Sequence, residues 1–377
     1  MLIVTANWAL TDGSLAPSGS GSAAILLNGI QRAVIRGGRG TDGRYRPVSE
    51  ATLVLAGDTC DWLISSVWAG RERPWRGGVR ARRARLRVAS ETLRAARPLA
   101  ARLRRWLRRG VPVPAADRRG RPCVGPPRAV HLRIVLLAGD RDPWWSELSV
   151  AGPAGFQVGE AWTDGQHEVR HGHELDPLAH HAGAWRSGGS RRPTLRESLA
   201  VDLIVPFAAE CRAVVAAWPF VRSLVPRLTA AGLEVVPGII HRFVERLALD
   251  QGLPVARAIE EAWRSRVAAW HAAARREQPV CETEFDPIDD VAGWLTERRP
   301  ADGPSPLWRV LEPLDGRQPR SGIRWGHGLA LGGRPIAIEC RLDDGRRWRE
   351  PLGAEPAPPA IVTVGRQGCQ PGVVDAA

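Results

Sequence analysis

The sequence predicts an α/β fold, and three observations carry that reading. Leu53 to Asp58 (LVLAGD) is a continuous apolar run closed by Gly-Asp, as expected of a strand buried on both faces. A near copy, Ile134 to Asp140 (IVLLAGD), follows later. Between and beyond these runs lie long stretches of helical composition, from Val79 to Arg109 and from Thr194 to Arg276. A glycine at a strand's C-terminal edge lets the chain turn sharply, so each run delivers an aspartate to the sheet rim, where open α/β folds place ligands.

Leu2 to Ala6 is a short buried strand, followed by a loop from Asn7 to Gly13 and a small-residue stretch to Gly21. Ala23 to Ile35 fits a helix or a strand. Trp62 to Trp68 continues as a helix after the first Gly-Asp turn, and Arg71 to Gly78 is a loop. From Val79 to Arg109, leucines and Trp106 alternate with arginines, which predicts one amphipathic helix with a solvated basic face. Pro112 to Pro127 reads as a linker. Val130 to Ala138 is the third strand, and Phe156 to Trp162 and Glu168 to Arg170 are further strands joined at Asp164-Gly165.

Prolines 206, 219, 226, 237 and 254 break the region from Thr194 to Arg276 into helices. The best of them runs from Val255 to Ala274, where Val255, Ile259, Trp263, Val267 and Trp270 form one packing stripe. Asp286-Pro287 starts a short helix. Leu329 to Arg341 and Ala360 to Val364 return to strands.

Composition narrows the function classes. With 377 residues, 44% apolar and 25% charged, the chain is globular and long enough for a large domain or a domain with an insertion. The formal charge of +13 points to anionic partners. All of the basic residues are arginine, however, and asparagine occurs only at positions 7 and 28. Such a skew fits a coding bias that enriches arginine whatever the function, which sets nucleic acid below what charge alone suggests. The six cysteines form no C-x-x-C pair, so a reducing, cytoplasmic compartment is expected, and no apolar stretch is long enough for a membrane span.

The chemistry-bearing residues gather at strand ends: Asn7 and Asp12 after the first strand, Gly57-Asp58 with Asp61, Gly139-Asp140-Arg141-Asp142, His171-Gly172-His173-Glu174, and Gly326-His327-Gly328-Leu329. Asp58 and Asp140 also read as simple turn residues, and His171 and His173 also fit a charged surface loop.

In this order the motifs resemble the calcineurin-like metallophosphoesterases, most closely the branch that includes UDP-diacylglucosamine pyrophosphatases. The resemblance covers Met1 to Pro177 and the block at His327. It implies a layered sandwich of two central mixed sheets flanked by helices, with the core in residues 1–192 and 301–377 and a helical insertion in 193–300. In that family two metals share the Asp of the Gly-Asp block. Here Asn7, Ala9 and Leu329 stand where first-metal ligands are expected, so a second metal is not expected. The surviving set is Asp58, Asp140, His171 and His327, enough for one Mn, Zn or Fe ion. Arg141 replaces a histidine and either contacts a phosphate or forms a salt bridge to Asp58, Asp61 or Asp142.

The expected function is that of a degenerate hydrolase, a pseudoenzyme with at most one metal and weak or absent turnover of a phosphate-containing small molecule. Two alternatives stand beside it. One is an active single-metal phosphoesterase or pyrophosphatase; the other is a basic scaffold for an acidic partner, using the arginine-rich helix or the helical segment.

Overall fold

The structure is a computed structural model that describes residues 1–6, 8–16, 18, 20–40, 42–148, 156–164, 168–171, 190–214, 224, 228, 236–277, 287–296, 322–327, 335–341, 347–351, 361–365 and 368–372, with the strands from 322 onward described as backbone. The chain is α/β. Strands β1 (Leu2–Thr5), β2 (Glu50–Ala56), β4 (Pro122–Leu137) and β5 (Phe156–Gly159) pair in parallel, with β2 between β1 and β4. Their central residues are buried because helices cover a parallel sheet, which is why the runs are apolar throughout.

Antiparallel strands extend this sheet. β3 (Val111–Ala116) pairs with β4 on one side, and β11 (Ile361–Gly365) and β12 (Gly368–Gly372) add to β1 on the other. A second sheet has the order β10 (Arg347–Pro351), β9 (Pro335–Arg341), β8 (Gly322–His327), β7 (Glu168–Arg170) and β6 (Ala161–Thr163). β7 and β8 are parallel, and the other pairings are antiparallel. The two sheets approach each other where β2 meets β7 and β4 meets β6.

The ambiguous stretch after β1 is a helix, α1 (Ser20–Gly37), the crossover that two parallel strands need. The basic stretch is two helices, α2 (Val79–Ala95) and α3 (Arg97–Arg109), because Pro98 at the start of α3 cannot continue α2's hydrogen bonding. Residues 62–68 do not form the expected helix. Only a 3₁₀ turn, Ser66–Ala69, is present, capped by the Ser65 hydroxyl, and Trp62 is held lower down by its backbone bond to Arg141.

The expected linker from Pro112 to Pro127 is a β-ribbon instead. In β3 the prolines alternate with buried Val111 and Val113, and an edge strand tolerates proline's missing N–H. The run from Phe156 to Trp162 divides at Gly159, with β5 in the first sheet and β6 in the second. β6 and β7 pair as a hairpin, as expected; residues 165–167 of its turn lie outside the described residues.

A short helix, α4 (Trp145–Leu148), lies between β4 and β5, and a helical layer follows β7. A capping box at Thr194 and Glu197 starts α5 (Leu195–Ser198), a π-helical stretch (Leu199–Ile204) follows, and the chain continues into α6 (Val205–Val214). Then come α7 (Val236–Gln251), α8 (Leu253–Glu277) and α9 (Pro287–Thr296). Ile259, Trp263, Val267 and Trp270 of α8 are buried, as the spacing predicts. Their stripe joins the same hydrophobic core as Ile3, Leu53 and Ile134. Among the described residues, no helix is long and apolar enough to cross a membrane.

Candidate metal centre

Parallel strands carry their C-terminal ends to one rim, so β1, β2 and β4 release Ala9, Asp58 and Asp140 side by side. The loops after β1 and β2 pair through their backbones, with Ala9 N bonding Asp58 O at 3.1 Å, Leu10 N bonding Thr59 O at 3.1 Å and Asp61 N bonding Leu10 O at 2.8 Å. Asp58 sits at φ +48°, a left-handed conformation that aspartate tolerates better than most residues. Ala9, also at positive φ, has no such tolerance.

Both Gly-Asp glycines are needed for close approach. A Cβ on Gly57, itself at φ +86°, would overlap the His171 ring, and a Cβ on Gly139 would overlap the Asp58 carboxylate and backbone. The two loops also clip each other. Asp142 accepts from Gly139 N at 2.8 Å, Asp58 N at 3.2 Å and Cys60 N at 3.0 Å, while Asp58 Oδ1 accepts from Arg141 N at 3.0 Å. Trp62 stacks on Trp144 at 5.3 Å, giving the paired loops an apolar floor.

The result brings Asp58, Asp140 and His171 together. One donor atom from each lies within 4.8 Å of the others, and all three residues are buried. His171 Nε2 stands 3.6 Å from Asp58 Oδ2, and its Nδ1 stands 3.7 Å from Asp140 Oδ1. Asp58 Oδ2 is buried and accepts no hydrogen bond among the described residues. An acceptor in that position fits a cation, since leaving it bare is costly.

Charge counting points the same way. Asp58, Asp61, Asp140 and Asp142 are buried with two guanidinium groups, those of Arg141 and Arg196. Setting His171 aside, the formal charges of these six groups sum to −2, which one divalent ion or two protons would balance. Burial, followed by the charges of Asp140 and Asp142, pushes the Asp58 carboxyl well above its usual range. Burial likewise raises Asp61, and it raises Asp142 to about 6 against the opposing backbone donors. The donor set therefore suits one metal ion.

The other sequence candidates divide. Arg141 is inside the cluster and pairs with Asp61 at 2.7 Å, one of the salt-bridge partners weighed for it. Asp142 is the clip between loops. His327 ends β8, which runs parallel to β7 and extends past it in register, so its backbone lies toward the same end of the second sheet as His171. Asn7, His173 and Leu329 lie outside the described residues.

Arg196, which the sequence did not single out, binds Asp140 Oδ2 at 3.0 Å from α5. Thr194-Leu-Arg-Glu197 is legible as a capping box, but nothing local says that its arginine reaches the Gly-Asp loop. Compared with protein-family models, curated proteins and solved structures, the chain shows no significant similarity to any.

Proposed function

We propose that the chain is a metallophosphoesterase-like protein reduced to one metal position, formed by Asp58, Asp140 and His171, with weak or no phosphoester hydrolysis. The observation that carries this reading is the convergence of three donors from three separate strand ends on one buried point. The motif order supports it, as do two mixed sheets that bring β7 and β8 together in parallel. His327, at the end of β8, is the fourth ligand in this reading.

Two carboxylate oxygens with imidazole nitrogen suit Mn, Zn or Fe. A bound ion would supply Lewis-acid polarisation of a phosphoryl oxygen and a more acidic water. The surrounding side chains hold charge in place. Arg196 orients Asp140, the Asp142 clip fixes the loop that carries Asp58, and Arg141 is engaged with Asp61. Where the resembled family has a histidine able to protonate a leaving oxygen, an arginine stands here, a residue type that does not serve as a general acid. Weak turnover follows from that exchange together with the missing second ion.

The test is the metal content of the purified chain by mass spectrometry, joined to thermal melts with added Mn²⁺. At most one ion per chain is expected. Mn²⁺ at about a hundred times its Kd should stabilise the fold by ~2.7 kcal/mol, and Asp58→Asn and His171→Ala should abolish that gain. Two tightly held ions would overturn the reading. Phosphodiester turnover that disappears in Asp58→Ala and His171→Ala would select the active single-metal alternative.

A further inference from the structure

A second site lies on the same sheet, away from the acidic rim. One edge of β4 changes neighbour midway: β3 pairs with it as far as Val130, and β5 joins only at Ile134. A cavity of about 470 Å³ opens at this break, a size typical of small-molecule pockets. The register places Thr52, Arg133 and Gln157 on one face of the sheet, since Thr52 is opposite Arg133 and Gln157 is opposite Val135. Trp162 of β6 and Arg108 from the last turn of α3 complete the wall, with His131 beside them.

The lining contains two arginines and a histidine but no carboxylate. Glu50 stands opposite His131 in the strand register but outside the lining. Neither Arg108 nor Arg133 has an ion-pair partner among the described residues. Coding bias does not account for this. In the helical layer Arg246, Arg264, Arg266 and Arg275 each pair with a carboxylate, while Arg242 and Arg257 have no such partner among the described residues. On α2 and α3, among the described residues, only Arg85 and Arg87 do so, while Arg94, Arg97, Arg104, Arg105, Arg108 and Arg109 are exposed. A uniform enrichment of arginine does not explain why carboxylates accompany several arginines of the helical layer and neither arginine of the cavity lining.

We infer that this cavity binds a nucleoside phosphate. Arg108 and Arg133 form a cationic fork for the phosphate, His131 can add a further donor, and Trp162 offers a flat face on which a base can stack. Gln157 and Thr52 supply hydrogen-bonding groups for the sugar or base edge. The same chemistry is presented by a free mononucleotide or by the phosphorylated end of a single strand led in along the exposed arginines of α3. At about 3.3 Å per residue, the distance from Arg133 to Asp140 along the chain is on the order of 20 Å, so this binding requires no metal at the acidic rim.

The experiment is calorimetric titration of the full chain in EDTA with AMP, GMP, inorganic phosphate and a 5′-phosphorylated single-stranded 12-mer. A nucleoside phosphate should bind more tightly than inorganic phosphate. Arg133→Ala and Arg108→Ala should each weaken it about tenfold. Trp162→Ala should weaken nucleotide binding about tenfold and leave phosphate binding unchanged. All three positions are at the surface or half-buried, so unchanged thermal melts would confirm that the variants fold.

Binding of AMP or GMP identifies the free nucleotide as ligand. Binding of the 12-mer alone, lost without its 5′-phosphate and weakened by Arg104→Ala, identifies the strand end. The inference is overturned if neither binds at millimolar concentration, if the Arg108→Ala/Arg133→Ala double variant binds as well as the unaltered chain, or if inorganic phosphate binds as tightly as AMP. EDTA keeps these outcomes separate from the fate of the metal reading.

Discussion

Strand β4 carries two opposite electrostatic settings. Past its C-terminal end, Asp140, Arg141 and Asp142 are all buried, and each is engaged: Asp140 with Arg196, Arg141 with Asp61, and Asp142 with backbone N–H groups of both loops. Along its middle, His131 and Arg133 are exposed beside a cavity. The difference shows what burial does to charge. In the interior a carboxylate or guanidinium must be matched or it destabilises the fold, so each of these three side chains is held by a structural partner. At the surface water meets that requirement, and a charge can stay available for a ligand.

The two settings should differ most at Arg196. Removing one partner of a buried ion pair leaves the other uncompensated, so Arg196→Met should cost ~3–5 kcal/mol in urea unfolding of the metal-free chain. Arg133→Ala, at the exposed end of the contrast, should stay within about 0.5 kcal/mol. If the two variants lose similar stability, burial is not what separates the settings.

Gly139→Ala is the next largest test. The added methyl would overlap Asp58, and the loops that clip each other there have little room to yield. A loss of ~1–3 kcal/mol is expected, as for overpacking in a core, and Mn²⁺ affinity should fall because Asp58 moves. A Gly125→Ala control on the exposed ribbon, where an added methyl meets nothing within 4 Å, should lose little.

How much of this was legible follows from the range of the signals. The Gly-Asp blocks could be read from six or seven consecutive residues, because a strand buried on both faces leaves an apolar run and the turn after it leaves a glycine. The α8 stripe was legible for the same local reason. Three features escaped because their cause is distant. Arg196 meets Asp140 only through the tertiary fold. The Pro112 to Pro127 ribbon hides its Val111 and Val113 alternation behind prolines that an edge strand tolerates. The switch of sheets at Gly159 depends on where β4 ends its pairing, which nothing between Phe156 and Trp162 encodes. The resemblance supplied the candidate ligand set, whereas the clip role of Asp142 and the partner of Arg141 came from geometry alone.

The smallest effect is the most diagnostic of how the acidic end is balanced. Asp142 is raised to about 6 by burial, and Asp58 and Asp61 are displaced in the same direction. An aspartate of raised pKa holds a proton in the folded state that the unfolded chain has already released. Its contribution is therefore fully present below about pH 4 and is lost as pH rises through the folded value. Asp42 and Asp289 shift the opposite way beside surface arginines, but they are exposed and screened. The metal-free chain should accordingly lose stability from pH 5 to pH 7, by about 1.4 kcal/mol for one carboxyl titrating in the middle of that window. Saturating Mn²⁺ should flatten that decline, because an ion favours the ionised carboxylates and takes over from the protons that balance them. Urea midpoints measured at both pH values, with and without Mn²⁺, decide it. A midpoint that does not fall with pH in the metal-free chain would mean that the folded cluster is already ionised at pH 5, and that its charges are balanced by groups other than Arg141, Arg196 and bound protons.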